Sequence, residues 1–93
     1  MTTDPQIVTP IIDEPEFTPA QIAQDISASY DSATLIAKLV TENVHSDENH
    51  NTVIRNINHL KSCLTLPRII DNASDSDKAA FANLVAVGEN WIA

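Results

Sequence analysis

Prolines at positions 5, 10, 15 and 19 divide the beginning of this chain into pieces four or five residues long. Each proline fixes φ, removes a backbone donor and biases the residue before it away from helix. Residues 1–17 therefore read as an extended N-terminal arm and residues 18–93 as a helical domain. The arm is not a plain solvated tail. Ile7-Val8 and Ile11-Ile12 stand between the prolines as bare apolar pairs, and Phe17 follows them. An extended segment that is apolar at intervals suits a strap laid along a protein surface, its own or a neighbour's. Ile7, Val8, Ile11, Ile12 and Phe17 are the expected partner-binding residues.

Charge narrows the partner. The chain carries 13 acids and 5 bases, for a net −8. Asp4, Asp13, Glu14, Glu16, Asp25 and Asp31 fall in the first 37 residues, which hold no lysine or arginine. Such a balance disfavours direct contact with a nucleic-acid backbone or an anionic membrane surface. A basic protein patch is the natural complement, although acidic faces commonly serve solubility alone. There is no apolar run of the ~18 residues a membrane span needs, and no basic-then-apolar leader. The one cysteine, Cys63, cannot form an internal disulfide, which fits a reduced cytoplasm. Outside the arm about 75 residues remain for a core, near the lower limit for an unstapled domain. Self-association or docking would relieve that shortage, so a homo-oligomer or a place in a larger assembly is expected.

The body reads as all-α. Thr18-Pro19-Ala20-Gln21 combines a cap, a proline at the first helical position and a capping-box glutamine. Ile22, Ile26, Tyr30, Ala33, Ala37, Val40 and Val44 then recur at steps of four and three, with Leu35, Ile36 and Leu39 widening the stripe. This predicts one helix over 19–45, or two divided at Tyr30–Ser32, where poor helix formers gather. Residues 46–51 read as a polar turn. A second helix over 50–65 carries Val53, Ile57, Leu60 and Leu64 and stops at Leu66-Pro67. Residues 68–73 form a connector with Ile69 and Ile70 turned inward. Ser74 caps a last helix, with Asp75 and Asp77 against its positive end. Its stripe is Ala80, Phe81, Leu84, Val85, Gly88 and Trp91. The expected architecture is a small three-helix bundle, or a four-helix one if the first helix breaks.

Candidate chemistry is sparse. His45, Asp47, Glu48 and His50 lie within six residues, but in one polar turn without the regular ligand spacing of zinc sites. A solvated turn is the plainer reading. Arg55 and His59 are four apart and share a helix face with Asn56 beside them. They lack an evident nucleophile and orienting carboxylate, so hydrogen bonding to a neighbouring helix or to the chain's own acids outranks catalysis, with a partner contact between the two readings. Cys63 reads as a small apolar packing residue, and Trp91 as a core residue ahead of a contact. With a single glycine there is no phosphate cradle, and four aromatics give no base-stacking platform. No cofactor, metal or catalytic residue is expected.

The stretch Val53-Ile-Arg-Asn-Ile-Asn-His-Leu-Lys-Ser-Cys-Leu64, followed by a capped helix ending Gly88-Glu-Asn-Trp-Ile92, resembles a pattern in small uncharacterised phage proteins. The resemblance spans residues 53–92, leaves out the acidic arm and implies no activity. It implies a phage accessory or virion protein, located in the virion or the host cytoplasm. The first functional reading is thus a non-enzymatic, protein-binding structural or assembly component. The alternative is a small acidic inhibitor or regulator of a basic protein, including a DNA mimic. Against mimicry, only Asp25, Asp31 and Glu42 project from the first helix. A small enzyme using His59 or Cys63 is a distant third.

Overall fold

A computed structural model of the chain describes residues 17–93. Residues 1–16, with the expected anchors Ile7, Val8, Ile11 and Ile12, lie outside the described residues. The remainder is four helices: α1 (Pro19–Glu42), α2 (Asp47–Cys63), α3 (Pro67–Asn72) and α4 (Asp75–Ile92). Among the described residues there is no strand, and no helix is long and apolar enough to cross a membrane. α1, α2 and α4 pack against one another in all three pairings, and α3 rests on α1. The chain runs up, down and up, so that α4 lies alongside α1 in the same sense.

The all-α bundle is as expected, but its fourth helix arises elsewhere. α1 is continuous through Asp31. The extra helix is α3, formed where a connector was expected. Pro67 occupies the first turn of α3, where its missing N–H costs nothing. α2 already ends at Cys63, not 65, so the proline expected to stop one helix begins the next. A helix of six residues has room for only one of two adjacent isoleucines to face inward. Ile69 is fully buried, while Ile70 is 42% exposed, against expectation.

Capping sets the other boundaries. Thr18 Oγ1 accepts from the Gln21 amide while Gln21 Oε1 accepts from the Thr18 amide, closing the capping box. α1 ends at Glu42, not 45, because Asn43 turns left-handed at φ 57°. Asparagine tolerates that region better than most residues do. α2 starts at Asp47, not 50. Ser46 Oγ accepts from the Asn49 amide, and Asp47 and Glu48 sit against the dipole's positive end. Ser74 repeats that arrangement at α4, accepting from the Asp77 amide.

The buried face of α1 differs from the apolar stripe read from sequence. Ser29, Ser32, Ala33, Ile36 and Leu39 are buried, whereas Tyr30, Ala37 and Val44 are exposed. Ser29 escapes a polarity-based reading because its hydroxyl donates to the Asp25 carbonyl one turn back, 3.0 Å away. Satisfied within its own helix, it enters the core at little cost. α2 contributes Val53, Ile57 and Leu60 as expected, and α4 contributes Phe81 and Val85. Gly88 lies buried where α4 meets α1 and α2. A Cβ there would lie 2.9 Å from Ile57 Cδ1 and 3.2 Å from Ile36 Cγ2, so any larger residue would push those two side chains aside.

Tyr30 sits at the edge of this core. Its ring meets Phe81 edge-on, 5.2 Å between centroids, and its hydroxyl donates to Asp77 Oδ1. That hydrogen bond, with partial desolvation and the carboxylate's charge behind it, raises the phenol above its ordinary value. Because Tyr30 is the one tyrosine, ultraviolet titration of the folded protein reads it alone. The midpoint should lie above the usual value of about 10, and Asp77→Asn should bring it back. The sign follows from linkage: the stabilisation is present below the unfolded pKa and lost as pH rises through the folded one. A midpoint unmoved by Asp77→Asn would contradict the contact.

Candidate functional site

Three side-chain clusters distinguish this bundle from a bare helical scaffold. The first lies where the arm joins the body. Phe17 packs its ring under the Arg68 guanidinium, 4.0 Å from Cζ to centroid. Arg68 Nε in turn donates to Asp25 Oδ2 at 2.6 Å. The pair is partly shielded, and a carboxylate, a guanidinium and an aromatic face stack from α1 through α3 to residue 17. Of the five expected anchors, Phe17 is thus the one the structure describes, and it is engaged within its own chain. Asp25 was visible in sequence as an acid without a local base. Its partner stands 43 residues away, which no spacing rule reveals.

The second cluster lies between α1 and α2. His59 Nδ1 is 2.6 Å from Ser32 Oγ, and His59 Nε2 is 3.4 Å from Cys63 Sγ. Both imidazole nitrogens therefore have partners, one on each helix. The neighbouring-helix hydrogen bond expected of His59 is present. Arg55 and Asn56 take no part: Asn56 Nδ2 donates to the Thr52 carbonyl at 2.7 Å, and Arg55 stays exposed. The thiol and imidazole approach as in a nucleophilic dyad, a pairing that sequence reading weighed low. Cys63 is only 4% exposed, however, and also packs with Ile69 and Ala73. Access then requires the helix ends to open. The thiol should react with a disulfide reagent far more slowly than an unfolded thiol does, and the rate should climb steeply with urea. Rapid stoichiometric labelling of the native protein would show instead an open, usable dyad.

The third cluster closes one end of the bundle. Trp91 packs against the core from the last turn of α4, and its indole N–H donates to Asn43 Oδ1 at 3.0 Å. His45 stacks on the indole with centroids 4.3 Å apart, and His50 meets it edge-on at 5.0 Å. The two imidazoles touch, with His45 Nδ1 2.7 Å from His50 Nε2. Trp91 is half-buried and belongs to the core, as expected. Asp47 and Glu48 do not join the histidines. Among the described residues no three histidine, cysteine or acidic side chains converge on one point.

Comparison with protein-family models, with curated proteins and with solved structures finds no match to this chain.

Proposed function

We propose that this protein is a non-enzymatic, protein-binding structural or assembly component. In this reading the arm docks on neighbouring subunits and the bundle is the body that carries it. The observation that carries the reading is the clasp at the arm's root. Asp25, Arg68 and Phe17 tie the start of the described chain to α1 and α3, which gives a docking segment a fixed point of departure. A tether anchored on a folded body raises the effective concentration of every contact beyond it, so weak apolar anchors suffice when several copies assemble. Ile7, Val8, Ile11 and Ile12 are the proposed anchors, and the prolines lower the entropy lost on docking. The resemblance to small phage proteins over residues 53–92 supports reading that assembly as a phage one, and the proposed location is the virion or an infected host's cytoplasm.

Native mass spectrometry of the full chain with its co-purifying protein tests this directly. The reading predicts species heavier than the 10.1 kDa monomer, either self-assembled or with a protein partner bound. A bare monomer at all concentrations, purified from its natural source, would contradict it. A salt-labile complex with one basic protein would favour the inhibitor instead.

A further inference from the structure

We infer that His45, His50 and Trp91 form a latch that closes one end of the bundle at neutral pH and opens on acidification. His45 Nδ1 and His50 Nε2 stand 2.7 Å apart, a hydrogen bond that needs an N–H on one ring and a lone pair on the other. Both rings also lie against the Trp91 indole, His45 stacked at an interplanar 19° and His50 edge-on at 71°. The contact joins three parts of the chain. His45 follows the end of α1, His50 belongs to the first turn of α2, and Trp91 to the last turn of α4. The same indole donates to Asn43, the left-handed residue that ends α1. The latch rests on this end of the bundle alone and does not depend on the docking reading.

The number of protons on the pair decides whether the latch holds. In the neutral pair one imidazole donates its N–H to the other's lone pair. One added proton makes an imidazolium that donates to a neutral imidazole, a charge-assisted bond, and the indole accepts a cation against it. A second added proton removes the last lone pair. Both facing nitrogens then carry hydrogen, and two like charges meet at hydrogen-bond distance. The rings must part, and His45, which is exposed, leaves the indole for water. The charged groups on the surrounding elements are Lys38 and Glu42 on α1, Asp47 and Glu48 in the first turn of α2, and Glu89 on α4, which pairs with Lys61. Among the described residues none of them bonds either ring, so the bond between the histidines is the contact that acid removes.

The test uses the full chain. Trp91 is the one tryptophan, so its fluorescence reads the latch alone. As pH falls from about 8 to about 4, a range that spans imidazole titration, the emission maximum should shift to the red and acrylamide quenching should rise. Both should reverse when the pH is restored. Far-UV circular dichroism on the same samples should stay helical, because the change is confined to one end. His45→Gln and His50→Gln, each checked to be helical at neutral pH, leave only one ring to be charged, so either should abolish the shift. His59→Gln should keep it. The inference is overturned if wild-type emission stays fixed across the range, if the shift persists in either His45→Gln or His50→Gln, or if it coincides with loss of helix.

Discussion

Phe81→Ala should lower the melting temperature by roughly 15–30 °C. Removing a buried phenyl ring costs about 3–5 kcal/mol, and each kcal/mol is worth about 4–8 °C in a domain of this size. Phe81 is fully enclosed, in a cluster with Ile36, Val53, Ile57, Leu60 and Val85. Its edge-on partner Tyr30 would lose a face to lie against. Three helices converge on the ring, so local collapse cannot fill the space without moving one of them. Whole-domain stability is only about 5–15 kcal/mol, so the variant should stand close to unfolding at body temperature. Phe81→Leu keeps most of the volume and should melt well above Phe81→Ala. A loss below about 1 kcal/mol for the alanine variant would contradict a central placement.

Leu60→Ala and Arg55→Ala should separate sharply, although both lie on α2 and only five positions apart. Leu60 is fully buried, and its truncation should cost roughly 2–5 kcal/mol. Arg55 is exposed, and among the described residues its guanidinium reaches only Thr52 Oγ1, at 3.4 Å within the same helix. Its loss should cost under about 0.5 kcal/mol. Urea denaturation reads both, with the midpoint shifted and the slope unchanged. Large losses in both variants would mean that Arg55 belongs to a buried polar network.

The contrast between these residues shows what could be read from the chain. Local signals were legible: the capping box at Thr18, the serine cap at Ser74 and the stripe of α2 required only neighbours within four positions. The Ser46 cap carries the same signature, Ser-Asp-Glu, but the surrounding polarity read as turn. Long-range pairings were not legible. Arg68 with Asp25, Trp91 with Asn43, and His59 with Ser32 join residues 27 to 48 positions apart. Each depends on how helices rotate about their axes. That rotation was misread for α1, because a back-bonded serine hides as well as an alanine and Ser29 took the place expected of Tyr30. The two histidines at the turn were visible as a group. Their contact was not, since it required knowing that Ser46 starts a helix.

The most direct test of the docking claim replaces Ile7, Val8, Ile11 and Ile12 with serine and leaves Phe17 on Arg68. Assembly by native mass spectrometry and the helical melt are then measured on the same sample. A companion variant neutralises Asp13, Glu14 and Glu16. The account predicts that the serine variant loses assembly while its melt stays within a degree or two of wild type. The charge variant should weaken assembly mainly at low salt, where screening is slight. Assembly that survives the serine changes but vanishes on neutralising the acids would contradict the account, and would make the arm an electrostatic decoy for a basic protein.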